Sequence, residues 1–359
     1  MNMGVRLPLT FDDALNIGVR LPWGGFRWVA RYLLSTVMQF TAELRRLLQR
    51  DGTSALGEDD AARLWGAILD DALEGLEIGA IIAALAVAGE TREEVAGLHR
   101  AAAERFAHWS PVGPRAVAIP AYGLFPGEAL IASLAAALLR EFGVPVIVHG
   151  ILDSPCGVSC ARVLRELGVL PSASFAQADE KLAADRIAFV PVQLLSPAFS
   201  KILALRGRLG IENTAHLVAQ GIDPTRGAAT RLTFSVAGTR SERFDASAPG
   251  IEGDLVALAW GAGRSPLNLS VRPRIERIRD GDRELLFEAD AQETRSTIPV
   301  PPEDAAGIAR WIQRVTTGAV AIPVPALNLV AACLYAVGEA PDFSQAKAIA
   351  AINAGRLAA

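Results

Sequence analysis

Lysine is almost missing from this sequence. Of 35 basic residues only Lys181, Lys201 and Lys347 are lysine, the rest being arginine. A GC-rich genome produces that imbalance, so by itself it carries no function. A strong excess of either charge is also missing. The formal net charge of −4 excludes a uniformly basic nucleic-acid binder but leaves room for local patches. The three cysteines, Cys156, Cys160 and Cys333, are odd in number and unsuited to a disulfide framework. Cys156-x-x-x-Cys160 has no second Cys/His pair to complete a zinc site, so reduced thiols in a cytoplasmic protein are expected. Long hydrophobic runs are few. Ile78 to Ala88 is bounded by Glu77 and Glu90 and is too short to span a bilayer. Gly318 to Gly338 is uncharged, but Pro323, Pro325 and Asn328 interrupt it, which reads as a buried loop plus a core helix. No basic n-region or secretory cleavage pattern opens the chain, so a cytoplasmic location and no membrane partner are expected.

What is present suits a large core. Hydrophobic residues make up 51% of 359 and charged ones 21%, enough for two lobes or one extended α/β domain. Residues 1–37 look foreign to the rest: Gly4-Val5-Arg6-Leu7-Pro8 recurs as Gly18-Val19-Arg20-Leu21-Pro22, beside Trp23, Phe26 and Trp28. They read either as an appended arm or as a start placed too far upstream, with Met38 the true beginning. From residue 38 the pattern is helical. Phe40, Leu44, Leu47 and Leu48 share a face, Glu58-Asp59-Asp60 opens a second helix, and Ile78 to Val87 reads as a buried helix stopped by Gly89. Thr91-x-x-Glu94 is a capping box for a helix to about Trp109. From Gln39 to Ser110 there are 13 acids against 7 arginines, so 38–110 reads as an acidic, all-helical lobe, joined by part of 173–205.

After Pro111 the period changes. Ala116–Ile119, Val144–His149, Ile187–Pro191 and Leu255–Trp260 read as strands. Helices are expected at about Gly127–Phe142, up to Leu167, and at Glu303–Thr316, Pro325–Val337 and Phe343–Ala354. The expected class is α/β: a small helical lobe and a larger lobe, 111–359, with a mainly parallel sheet flanked by helices.

Four words then stand in order. Gly143-Val144-Pro145-Val146-Ile147-Val148-His149-Gly150 resembles the Gly-Val-Pro-Val-x-Lys-His-Gly strand of the anthranilate phosphoribosyltransferase superfamily. Val163-Leu164-Arg165-Glu166-Leu167-Gly168 resembles its next helix end. Arg206-Gly207-Arg208-Leu209-Gly210-Ile211 resembles its Arg-x-x-Leu-Gly-Ile segment, with Asn213-Thr214-Ala215-His216 where the enzymes carry Thr-x-x-Asn. The opening around Leu85, Gly89, Glu90 and Thr91 is similar as well. The resemblance covers residues 39–359 and implies the nucleoside phosphorylase/phosphoribosyltransferase-like fold.

The departures matter as much. The superfamily holds phosphoribosyl pyrophosphate on a Gly-Thr-Gly-Gly-Asp loop, where glycine lets backbone N–H groups approach phosphate. Here the register is Pro120-Ala121-Tyr122-Gly123-Leu124. The lysine of Lys-His-Gly is Val148. The acidic pair that holds magnesium is replaced by Gly261-Ala262-Gly263-Arg264, and an arginine opposes that ion. Ile119-Pro120-Ala121-Tyr122 and Asn213-Thr214-Ala215-His216 resemble the YbiB-like branch. That resemblance implies a homodimer that binds DNA or RNA and lacks anthranilate phosphoribosyltransferase activity, with no cofactor. Magnesium and phosphoribosyl pyrophosphate are expected only under the alternative reading, a transferase with a rebuilt site for an unknown acceptor. A ligand-sensing pseudoenzyme is a third, minor possibility.

Two groups of residues follow as candidates. Tyr122, Gly123, His149, Arg206, Arg208, Asn213, His216 and Arg264 are expected around the former cleft. Arg206 corresponds to the enzymes' acceptor-contacting arginine; here a phosphate contact and a helix cap are both open. Tyr122 reads as a base-stacking ring or, more simply, as the closure of the phosphate loop. His149 reads as a core histidine bonded to backbone, with Asp153 near it. Asn213 and His216 read equally as pocket lining or structure. The second group is a patch at Arg226, Arg231, Arg272 and Arg274. Between Lys201 and Arg283 there are 13 basic residues against 9 acidic, a modest excess. Arg226, Arg231, Arg240 and Arg243 fall in a stretch that reads as a loop, and Arg272, Arg274, Arg277 and Arg279 on a solvated edge strand.

Overall fold

A computed structural model of the chain describes residues 40–48, 55–154, 157–243, 253–290 and 304–357. The Trp- and Phe-rich segment before Met38, and Cys156, lie outside these residues. The chain divides into two units, Met1–Ala42 and Glu43–Ala359; of the first, only Phe40, Thr41 and Ala42 are described.

Four helices come first: α1 (Thr41–Leu48), α2 (Glu58–Leu69), α3 (Gly75–Ala88) and α4 (Arg92–Arg105). The capping box at α4 forms as expected: the Glu94 N–H donates to Thr91 Oγ1 (3.2 Å) and the Thr91 N–H to Glu94 Oε2 (2.8 Å). Helices α2 and α4 approach closely, because a Cβ on Gly97 would stand 2.6 Å from that of Ala61. Leu64, Trp65 and Ile68 of α2 are buried. Leu48, expected on the inner face of α1, is exposed. Helix α3 corrects another expectation. It buries only Ile81, Ile82 and Leu85, while Leu76 and Val87 are 83% and 90% exposed. A helix apolar all round turns one stripe inward, and Leu76 and Val87 on the rest of it stay exposed among the described residues. Helix α4 ends at Arg105 and not near Trp109, because Phe106 turns extended and the Ala107 N–H donates to the Leu195 carbonyl (2.7 Å).

The rest of the chain alternates. It runs β1 (Val117–Ala121), α5 (Glu128–Glu141), β2 (Val146–Gly150), α6 (Cys160–Glu166), α7 (Phe175–Asp185) and β3 (Ile187–Pro191). Short helices α8 (Val192–Leu195), α9 (Pro197–Ala204), α10 (Arg206–Leu209) and α11 (Thr214–Ala219) lead to β4 (Thr230–Val236) and β5 (Asp254–Trp260). A hairpin, β6 (Arg274–Arg279) and β7 (Asp282–Phe287), precedes α12 (Ala305–Thr316), α13 (Val324–Val337) and α14 (Phe343–Leu357). One seven-stranded sheet has the order β3-β2-β1-β4-β5-β6-β7. Strands β1 to β5 are parallel and the hairpin is antiparallel, so the expected mainly parallel α/β class holds. The order reverses between β1 and β4, and at such a switch point a crevice opens outside the carboxyl ends of the strands.

Two expectations about this sheet fail. The stretch around Arg231, expected as a loop, contains β4 near the centre of the sheet; its alternating Arg, Thr and Ser hid a strand buried nearly throughout. Strand β6 is not an edge, because β7 pairs outside it. Asp282-Arg283-Glu284 gave β7 no apolar signal.

Candidate functional site

A cavity of about 510 Å³ opens at the carboxyl ends of β1, β2 and β4. Its walls come from the loop between β1 and α5, the loop after β2, the start of α6, Arg206 and Glu212, and the turn at Gly238–Arg240. The loop after β1 is the notable part. Gly123 adopts a left-handed φ of +72°, and a Cβ there would meet Ser154 Oγ at 3.0 Å. The N–H of Gly123 donates to Glu128 Oε1 (2.8 Å) and that of Leu124 to Glu128 Oε2 (2.5 Å). Successive N–H groups of this kind form a nest for an anion. Here the anion is the chain's own carboxylate. Glu128 is buried at the start of α5. Burial pushes its carboxyl up to about 7, against the pull of the Leu124, Gly123 and Tyr122 N–H groups and of Arg206.

Around this cradle every strong group is paired. Arg206 donates to the Gly123 carbonyl (2.7 Å) and pairs with Glu212 (2.8 Å). Arg240 pairs with the buried Glu90, which also accepts from Thr214 Oγ1 (2.9 Å). Cys160 reaches the cavity wall, but burial pushes its thiol up to about 12, so it is no nucleophile at neutral pH.

Residues 44–106 match the family model described as the glycosyl transferase family, helical bundle domain. The YbiB protein of Escherichia coli K12 is 31% identical over 294 residues, which are 80% of this chain and 91% of that protein. The anthranilate phosphoribosyltransferase of Geobacillus stearothermophilus is 25% identical over 86% of this chain and 92% of its own. The crystal structure of the Thermus thermophilus anthranilate phosphoribosyltransferase superposes with a TM-score of 0.63 at 19% identity, covering 89% of this chain and 97% of that one. The chain belongs to the YbiB-like branch of the anthranilate phosphoribosyltransferase superfamily. Its fold is that of the superfamily.

The tertiary structure scatters the residues that this YbiB-like sequence suggested. Of the cleft group, Gly123 and Arg206 line the cavity. Tyr122 is buried and its Oη is hydrogen-bonded to His149 Nδ1 (2.9 Å), so its ring is closed to a base. His149 therefore has a tyrosine partner and not backbone or Asp153, which pairs with Arg162 instead. Burial lowers His149 to about 3, so it stays neutral. Asn213 caps α11, its Oδ1 accepting from the Ala215 N–H (3.0 Å), and its own N–H donates to His216 Nδ1 (3.3 Å). Both are structural. Arg208 is exposed, with no side-chain partner among the described residues. Arg264 lies on the turn after β5 and donates to the Asp290 carbonyl.

The patch group divides further. Arg226 and Arg231 border a second cavity of about 430 Å³, with His99 and Asp223, at the amino ends of β4 and β5 and so at the opposite ends of the strands from the first cavity. Arg231 is buried and donates to the Gly221 carbonyl (2.8 Å), which corrects its placement on a surface. Arg272 pairs with Asp290 (2.9 Å), and Arg274 with Glu276 (2.7 Å) and Glu288 (3.0 Å). Sequence reasoning missed Glu128 and Glu212. The one signal for Glu128 was an acid at the start of a helix behind a Gly/Pro loop.

Proposed function

We propose that this protein is a catalytically degenerate superfamily member that forms a homodimer and holds nucleic acid without sequence specificity. The observation that carries the loss of chemistry is the Glu128 carboxylate in the backbone cradle. A phosphoryl group brought there meets a buried acid and finds the N–H donors taken. Magnesium does not fit either. Gly261-Ala262-Gly263-Arg264 replaces the acidic pair, and among the described residues no group of three or more His, Cys, Asp or Glu side chains converges. Turnover of phosphoribosyl pyrophosphate with anthranilate is expected to be undetectable in a coupled fluorescence assay; turnover lost on Arg206→Ala would refute this.

Nucleic-acid binding is supported by the resemblance to the YbiB-like branch and by Arg208, exposed on the same short helix as the cavity-lining Arg206. Affinity should fall steeply with salt and alike for unrelated sequences, because phosphate contacts release counterions and read no bases. Dimerisation is supported by the open face of α3. The second reading, a transferase with a rebuilt site, is favoured by the persistence of a cavity bearing Ser154, Ser159 and Thr239. Anisotropy titration with single- and double-stranded oligonucleotides separates the two: no complex at low salt and micromolar protein would leave the transferase.

A further inference from the structure

Most arginines suited to a polyanion are already neutralised at short range: Arg206 by Glu212, Arg240 by Glu90, Arg272 by Asp290, Arg274 by Glu276, Arg279 by Asp254. The face made by α6 and α12 differs. The two helices pack on each other. Both begin at the cleft, since Ser159 and Cys160 at the start of α6 and Ile308 near the start of α12 belong to the cavity wall. They run outward from it side by side. Their inner residues are buried, and their outer faces carry Arg162 and Arg165 on α6 and Arg310 and Arg314 on α12, all exposed.

Arg165, Arg310 and Arg314 have no side-chain partner among the described residues. Arg162 pairs with Asp153 at 2.9 Å, but with side chains 64% and 72% exposed, so water screens the pair. Among the described residues the other acids on and beside these helices include Glu166 on α6, Asp304, whose carboxylate caps the start of α12, and Glu141 at the end of α5, the last 3.7 Å from Arg140. Arg162 and Arg165 stand at i,i+3 and Arg310 and Arg314 at i,i+4, spacings at which like charges repel. The helix dipole accounts for Arg165 and Arg314 in last turns. It does not account for Arg310 in mid-helix, and it opposes Arg162 in a first turn. This self-repulsion does nothing for the fold, and a row of phosphates would relieve it.

We propose that the α6–α12 arginine face is where the protein holds a nucleic-acid backbone, along a track leading away from the cleft mouth. The proposal rests on the nucleic-acid reading above and gives it a place. The test is the Arg165→Gln/Arg310→Gln/Arg314→Gln variant of the full chain, titrated against a fluorescent single-stranded oligonucleotide at several salt concentrations. These side chains are exposed, so the melting temperature should match the parent's. The slope of log affinity against log salt should become shallower by about two, at roughly 0.7 per lost contact on a single strand. Affinity at low salt should fall about tenfold or more. The Arg272→Ala/Arg274→Ala variant should keep the parent's slope. A triple variant with the parent's affinity and slope overturns the placement. If Arg208→Ala then loses the complex, binding itself stands and the contact lies at the cleft mouth. If the parent forms no complex at low salt, both the placement and the nucleic-acid reading fall.

Discussion

Glu128 is where burial and hydrogen bonding pull hardest against each other. Its carboxyl lies near 7 when folded, against 4.5 for an unperturbed glutamate. The folded chain thus keeps the proton to higher pH than the unfolded chain. The stability this contributes is complete below the unfolded value and is lost as pH rises through the folded one, a change on the order of 3 kcal/mol. Glu128→Gln has no proton to lose and stays neutral at every pH. Its melting temperature relative to the parent should therefore climb as pH is raised from about 5 to about 7.5. A constant difference across that range would show that Glu128 does not titrate there. The local sequence marks this residue only weakly, as an acid at the start of a helix behind a Gly/Pro loop. An acid beginning a helix is ordinary, and only the turn at Gly123 aims the loop's N–H groups at it.

At the scale of elements, Gly150 couples the first two strands. A Cβ on it would stand 1.8 Å from the Ala121 carbonyl oxygen, at a backbone φ of +159°. That same oxygen accepts from the Ile151 N–H (3.0 Å). Gly150→Ala must push β1 from β2, at a cost above roughly 4 kcal/mol, and should abolish soluble expression or two-state urea unfolding. Gly207 on α10 has open space around its Cβ position and an ordinary φ. Gly207→Ala should be neutral or stabilise by up to about 1 kcal/mol. Equal losses for the two would contradict the clash. The His-Gly ending of this strand was legible as a motif, but its reason was not: the oxygen that forbids a side chain comes from residue 121. Strand β4 was illegible for a related reason. Its Arg231 and Thr residues find partners only after folding, so a buried strand reads as a polar loop.

For the whole molecule, the open face of α3 is the feature the single chain does not resolve. Leu76 and Val87 lie far from the stripe that Ile81, Ile82 and Leu85 bury. Pairing through this face, as proposed, would cover both. Leu76→Glu/Val87→Glu should then weaken self-association by about tenfold or more, with the melting temperature of the isolated chain little changed. Multi-angle light scattering across a concentration series checks this. A parent that stays monomeric at micromolar concentration rejects the pairing, and a double variant that dimerises like the parent places the contact elsewhere.

The sequence by itself determined the α/β class, the change from helical lobe to sheet near Pro111, most of the parallel strands and the helices that close the chain. Those follow from apolar periodicity, caps and turn residues, which act over a few neighbours. Its motifs also placed the chain in its superfamily. Tertiary structure alone decided which polar groups meet. It set Glu128 into the anion nest and paired Tyr122 with His149. It sent Arg231 into the sheet and tied Arg206 and Arg272 to acids that lie 6 and 18 residues on in the chain. It also left Arg165, Arg310 and Arg314 exposed on two helices that pack together, without an ion-pair partner among the described residues. Charge pairing acts over a few ångströms of space whatever the separation along the chain, which is why the arginines could be counted from the sequence but not assigned.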